Sequence, residues 1–547
     1  MTPARAVADR PAPQALDGVA RGGALNLSGA GYAALAGFGV ATLVARGLSR
    51  TEAGVFFTAT TLFVVIAVVA KLGTPTGLVY WFARLRTRGR SGLLRRCLQV
   101  ALRPVVLVSA GLGAAGWIGA GWLTGDLADE VRILAVLLPL AAVSDALLAA
   151  TRGFRTMRPT VAIDRFGRPT LQLLGVAGAL LLGASVSWFT VAWVAPWALA
   201  AVAAWFALRP LLPHQPSHPA TVATAVTDPR LPRMPAHGWP GGVLKSPAWR
   251  AGPARPANGA LRHGLSLDRA FWRFTWPRGA SNVLQQLLQR LDVLLVAGLL
   301  GFAAAAGYAV ATRFTVVGQL GNAAIATAVE PRLAEALARE DDVAARRLYQ
   351  TATAWLVLAT WPIYLLTAVF APLYLTLFGP AYATGEAVTV VVLLCAAMLI
   401  SNGCGMVDVV LAMTGRTTWN LGNVSAALLI NVGLNLVLLP RLGILGAGIA
   451  WAASMLAKNL LPLGQLAIRR GLHPYGRATV TAAALTAGCF GVLPLVAVWS
   501  LGVNLPALLS ATAVGVTAYL TGLWRLREPL QLSPFAALRR RSIAEVL

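Results

Sequence analysis

Charge is what this 547-residue chain has least of: Asp, Glu, Lys and Arg together make up 12% of it, against roughly 25% in a soluble domain. With 57% of its residues hydrophobic, it lacks the polar surface that a fold in water must present. Acids are scarcer than bases, 20 against 46, and the formal net charge is +26. Lysine is almost missing, with Lys71, Lys245 and Lys458 its only instances, so the positive charge is nearly all arginine. The four cysteines, Cys97, Cys395, Cys404 and Cys489, show no CxxC or zinc-finger spacing, which argues against a structural metal and favours small core residues. His214, His218, His237, His263 and His473 all fall in polar connections, and the His214/His218 pair lies in a proline-rich run that cannot hold ligands on a helix face. No GxxxxGK[ST] loop occurs, so hydrolysis of ATP at a Walker site is excluded. Asp341 and Asp342 follow a stretch of alternating charge that reads as a solvated amphipathic helix rather than a catalytic pair. No cofactor is expected, and the chain reads as something other than an enzyme.

What the chain has instead is apolar blocks of about 20 residues, the length that spans a hydrocarbon core. They run approximately over 24–45, 53–74, 100–122, 131–151, 169–187, 189–208, 274–300, 303–328, 350–372, 386–408, 419–440, 445–466, 479–500 and 506–524. The expected fold is an all-α polytopic membrane protein of about 14 transmembrane helices. An even number places both termini on one side. Most of the basic residues then share that side, in short connections such as Arg84 to Arg96 and Arg152 to Arg168, while the connection after the third block carries Asp126, Asp129 and Glu130. The positive-inside rule therefore predicts cytoplasmic termini in a bacterial inner (plasma) membrane. The same placement excludes nucleic acid as a partner and makes these loop arginines topology markers at the lipid headgroups rather than site residues.

Residues 1–23 lack the apolar core of a cleaved signal and read as a cytoplasmic tail. The blocks then divide into a six-helix lobe over 24–208, a Pro-rich linker over 209–273 expected to be disordered, a second six-helix lobe over 274–466, two further helices over 467–525 and a basic tail over 526–547. LVARGLSRTEAGVFF in the first lobe and LLVAGLLGFAAAAGYAV in the second both place an Ala-Gly, Ala53-Gly54 and Ala306-Gly307, before an aromatic and a new apolar span. Duplicated halves are a feature of transporters.

Polar residues inside apolar blocks are the candidate site residues, because a charge at the bilayer centre costs at least ~2.5 kcal/mol and faces a cavity or a partner. In the seventh block Arg278, Asn282, Gln285, Gln289 and Asp292 are spaced 4, 3, 4 and 3, which puts all five on one helix face. At 1.5 Å per residue the stripe extends about 21 Å. Such a stripe lines water or a polar ligand, or else it holds neighbouring helices by hydrogen bonds. Arg290 lies off the stripe, positioned to pair with Asp292 or to snorkel. Lys71, Arg103, Asp145, Arg313, Asp408 and Lys458 are the other intramembrane charges, with Arg313 the deepest cation. Cations outnumber acids, so a cavity built from them favours an anion, and a pyrophosphate suits the planar fork of arginine.

NVGLNLVLLPRLGILGAGIAWAAS, from Asn431 to Ser454, resembles the signature of the polysaccharide flippases of the multidrug/oligosaccharidyl-lipid/polysaccharide exporter (MOP) superfamily. ARGLSRTEAGVFF resembles their first outside loop, with Ser49 where a Gly is usual. LLVAGLLGFAAAAGYAVATRF and FAPLYLTLFGPAYATGEAVTVV are similar to segments of their second lobe. The resemblance implies two six-helix lobes, plus two C-terminal helices, around a central cavity that works by alternating access. It implies as cargo an undecaprenyl-diphosphate-linked oligosaccharide, a lipid-linked anionic glycan moved to the outer leaflet for polysaccharide biosynthesis, with a polysaccharide polymerase or ligase as partner. It also matches Arg313 to a cavity-facing arginine in helix 8 of the related lipid II flippases. A drug exporter of the same superfamily and a membrane-embedded polysaccharide polymerase or glycosyltransferase are the alternative readings.

Overall fold

Ser49 opens the second helix with a capping box: its hydroxyl accepts from the Glu52 amide while the Glu52 carboxylate accepts from the Ser49 amide at 2.9 Å. This device, a Ser and a Glu three residues apart before an apolar run, sets the tight turn between α1 (Pro13–Gly47) and α2 (Arg50–Ala70, resuming as Thr74–Thr87). In the computed structural model, which describes residues 13–123, 125–154, 156–212, 267–414 and 417–531, every regular element is helical.

Among the described residues, eleven helical segments are long and apolar enough to cross a membrane. One of them holds two helices that meet at Gly443, whose φ of 57° and ψ of −143° break the spiral. With the segments 160–181 and 302–338, each divided by an irregular turn, the helices number fourteen among the described residues, as the apolar blocks predict.

After α2 come α3 (Leu94–Gly119), α4 (Asp126–Gly153), α5 (a π-helical Thr160–Gly167 running into Arg168–Leu181) and α6 (Val186–Val194 and Pro196–Leu208). The second half holds α7 (Leu267–Leu300), α8 (Phe302–Ala311, a 3-10 turn Arg313–Thr315, then Val316–Ala338), α9 (Asp342–Val369) and α10 (Gly385–Gly403 and Val407–Met413). Next are α11 and α12, which share Thr417–Arg470 and divide at Gly443, then α13 (Arg477–Leu501 with a π turn) and α14 (Leu505–Arg525). The last two lie on the outer side of α9, where Ala478 and Ala482 of α13 pack against Ala354, Val357 and Leu358, with Tyr519 and Leu523 of α14 against the same cluster.

Two helices begin inside segments that the sequence reads as polar, α1 at Pro13 and α7 at Leu267. Residues 1–12, 213–266 and 532–547, which include most of the expected linker and tails, lie outside the described residues. Within the expected linker, α7 already starts at Leu267, because Leu267, Ala270 and Phe271 bury against Leu94, Cys97 and Leu98 despite the charged Asp268, Arg269 and Arg273 between and beyond them. Asp341 is the N-cap of α9 and Asp342 pairs with Arg470 at 3.4 Å, so both acids have structural partners.

The two halves meet along α2, whose contacts with α7 and the first segment of α8 are close enough to require glycine. A Cβ on Gly54 would stand 1.8 Å from the Phe302 carbonyl oxygen. On the terminus-distal side most helices are joined by short connections, 48–49, 182–185, 301, 443 and 502–504 among them, and the longer 370–384 carries a short helix, Ala371–Thr376.

Candidate functional site

Where the halves meet, α2 is interrupted. Leu72 and Gly73 adopt positive φ of 50° and 73°, and Pro75 in the first turn of the next segment cannot continue the preceding hydrogen-bond ladder. Gly73 is required twice over, since a Cβ there would also stand 2.6 Å from the Gly279 amide nitrogen of α7. The interruption leaves Lys71 at the end of the first segment, where its ammonium pairs with Asp145 of α4.

Around that pair lies a cavity of about 350 Å³ lined by Lys71, Asp145, Arg152, Asp164 and Arg165 from the first half and Asn282, Gln285, Gln286 and Gln289 from α7. The π-helical stretch Thr160–Gly167 brings Asp164 and Arg165 to it, and such widened turns commonly carry functional residues. Both acids are already engaged. Asp145 faces Lys71, and Asp164 accepts from Arg168 at 2.8 and 3.1 Å. Arg152 and Arg165 each keep a buried Nε without a hydrogen-bond partner, that of Arg165 lying 3.8 Å from the Asp164 carboxylate. Three cations and two acids therefore line the cavity, and the amide side chains of α7 supply donors on the opposite wall. The wall thus carries a net charge of +1 together with side-chain N–H donors that make no hydrogen bond.

A second polar cluster lies further along α2. Phe57 precedes Lys71 by 14 positions, about 21 Å of helix. Arg313 occupies the 3-10 interruption of α8 with its guanidinium carbon 5.0 Å from the centre of the Phe57 ring, and its buried Nε has no hydrogen-bond partner. Arg290 stands within electrostatic range of both Arg313 and Asp292. Asp292 is buried and accepts from the Tyr308 hydroxyl at 2.5 Å, while its other oxygen has no partner. In each half the second helix is thus broken, and a cation sits at each break; paired interruptions of this kind mark binding regions in transporters built from repeats.

The structure brings together some of the residues that the sequence singled out and separates others. Lys71, Asp145, Asn282, Gln285 and Gln289 share the cavity. Asp292 leaves the α7 stripe for the protein interior, because at that height α8 closes against α7 and presents Tyr308. Arg278 lies exposed over the Phe274 ring at 3.8 Å and donates to the Phe274 carbonyl. Arg103 is not at the centre at all; it faces outward between α3 and α6. Asp408 and Lys458, 50 positions apart, pair at 3.4 Å. Arg152 and Arg165, read from sequence as topology markers, are instead cavity residues. The available signal was Asp164, the single acid in the basic run from Arg152 to Arg168.

The family model MatE matches residues 277–437, from within α7 to α11. Among solved structures, the lipid II flippase MurJ in an inward closed conformation superposes with a TM-score of 0.64 at 11% identity, covering 92% of this chain and 99% of that one. An inward-facing multidrug resistance MATE family transporter of the MOP superfamily gives 0.58 at 13% identity, covering 80% and 94%. A MOP superfamily transporter from Pyrococcus furiosus, whose binding pocket of reversed polarity is taken to suggest a different function, gives 0.51 at 14%, covering 83% and 95%. No curated protein matches the sequence. At these identities the fold is what is shared: the chain is an all-helical multi-span membrane protein with a MOP/MATE-like fold.

Proposed function

We propose that the protein is a flippase that carries a polyprenyl-diphosphate-linked oligosaccharide, an undecaprenyl-linked one in a bacterial inner membrane, from the cytoplasmic to the outer leaflet by alternating access. The observation that carries this reading is the cavity between the halves, in which Arg152 and Arg165 hold buried Nε groups that make no hydrogen bond, opposite the amides of α7, with Asp164 3.8 Å from the Arg165 Nε. A diphosphate would satisfy those donors, and the amides would bind sugar hydroxyls. Arg313 at the break of α8 would be a second phosphate station further along α2, reached as the halves rock. Both termini are cytoplasmic in this scheme, following the arginine asymmetry.

A drug exporter is the second reading, and the bare oxygen of buried Asp292 favours it, because a carboxylate suits a cationic cargo. A polymerase is disfavoured, since the connections on the terminus-distal side leave little chain for a catalytic loop.

The test is reconstitution in proteoliposomes with a fluorescent polyprenyl-diphosphate oligosaccharide. Arg152→Gln with Arg165→Gln is expected to slow flipping on the order of ten- to hundredfold, the worth of charge-assisted hydrogen bonds. Arg313→Ala is expected to abolish it, and Arg313→Lys to retain part of it because charge survives without the fork. Unchanged flipping in the Arg152/Arg165 variant would remove these arginines from the site, and absence of flipping by the wild type, together with lipophilic-cation export that Asp292→Asn abolishes, would establish the exporter instead.

A further inference from the structure

On the outer flank of the first half, away from the central cavity, α3 and α6 diverge to leave a groove of about 950 Å³, within the size range of small-molecule sites. Arg95, Gln99 and Arg103 line it at spacings of four along α3, and Arg209 enters from the end of α6. The remaining wall is apolar, with Leu107 at 72% exposure and Trp205 at 44%. No acid lines the groove, and none of the three arginines has an ion pair or hydrogen bond among the described residues. Arg103 lies two turns deeper than Arg95, about 12 Å along the helix, on a face that looks out of the bundle. A cation at that depth on a lipid-facing surface is costly unless it snorkels or meets an anion.

We propose that this groove is a binding site for one anionic phospholipid, with the headgroup phosphate held between Arg103, reaching up from below, and Arg95 and Arg209 at the rim. The acyl chains run down over Leu107 and the Trp205 ring. Charge complementarity sets the class: three cations without a carboxylate reject a zwitterion's ammonium and accept a net negative headgroup. The bound lipid joins α3 to the end of α6 where no side chain of the described residues does so by charge. This inference is independent of the cargo, because it concerns a surface facing the bilayer rather than the cavity between the halves.

Native mass spectrometry of the full-length protein in mild detergent, offered phosphatidylglycerol or phosphatidylcholine of the same chains, tests it. Wild type is expected to retain phosphatidylglycerol over phosphatidylcholine by on the order of tenfold. The variant Arg95→Gln/Arg103→Gln/Arg209→Gln is expected to lose that preference. Arg96→Gln/Arg347→Gln/Arg527→Gln, which removes the same charge from exposed positions outside the groove, is expected to keep it. An equal loss in both variants, retention in the groove variant, or displacement of the lipid by millimolar inorganic phosphate would overturn the proposal. Should the groove variant fail to fold, wild type labelled with a diazirine-bearing phosphatidylglycerol decides: adducts concentrated around Leu107 and Trp205 support the site, and adducts spread evenly over the lipid-facing helices refute it.

Discussion

Helices α7 and α11 carry the same kinds of polar residue along one face, 3 and 4 positions apart on α7 (Asn282, Gln285, Gln289) and 8 and 4 apart on α11 (Asn423, Asn431, Asn435), and put them to opposite uses. On α11, Asn423 exchanges two hydrogen bonds with Gln465 at 3.0 and 2.9 Å, Asn431 donates to Ser454 at 3.3 Å, and Asn435 donates to the Asn431 carbonyl at 2.8 Å. All three asparagines are buried. On α7, Asn282, Gln285 and Gln289 are exposed to the cavity and make no side-chain hydrogen bond among the described residues. The difference lies in what stands opposite. Helix α12 folds back on α11 at Gly443 and offers Gln465 to Asn423 and Ser454 to Asn431, while Asn435 bonds to Asn431 one turn away on α11 itself; α7 instead faces the interruption of α2 and a set of arginines. Polar residues in a membrane helix become glue where a neighbour is within reach and a binding surface where the neighbour has withdrawn.

The comparison predicts the largest stability effect at the cavity's own ion pair. Lys71→Ala strands Asp145, and because both partners are partly exposed the loss should be about 1–3 kcal/mol rather than the full cost of a buried unpaired charge. Thermal melting in detergent should fall accordingly, and adding Asp145→Asn should restore melting while flipping stays impaired. A single variant that melts like wild type would mean the pair contributes nothing to stability.

A smaller stability effect separates the two helices directly. Asn431→Leu should cost about 1–2 kcal/mol through its lost partners and leave flipping per folded molecule unchanged. Gln289→Leu should cost under about 0.5 kcal/mol and yet slow flipping several-fold, because it removes a cavity donor and no structural bond. The reverse pattern would exchange the roles assigned to the two helices.

Much of this arrangement was legible in the sequence. Blocks of 20 apolar residues can hardly fold otherwise, so the fourteen helices follow. The 4, 3, 4, 3 spacing of α7 is a helical face whatever surrounds it. What the sequence did not separate was face from function: Asp292 sits on the same stripe as Gln289 but meets Tyr308 of α8, a contact set by how two helices close rather than by any local pattern. The pairs Lys71–Asp145 and Lys458–Asp408 join residues 74 and 50 positions apart, each of which looked like a lone intramembrane charge. Arg152 and Arg165 were hidden by an effective rule, because topology accounts for arginines at helix ends without any need of a site. Only the π-helical turn of Thr160–Gly167, which composition does not announce, brings Arg165 to the cavity.

If α7 lines a cavity open to water while α11 is sealed, cysteine accessibility distinguishes the two helices directly. In a background without Cys97, Cys395, Cys404 and Cys489, single cysteines at Asn282, Gln285 and Gln289 should react with a membrane-impermeant thiol reagent. Cysteines at Leu284, Leu287 and Leu291 on the other faces of α7, and at Asn431 and Asn435 on α11, should stay protected. Equal protection of Asn282, Gln285 and Gln289 would contradict an open cavity beside α7, making the α7 stripe another set of interhelical hydrogen bonds and leaving the proposed cargo without its cavity wall.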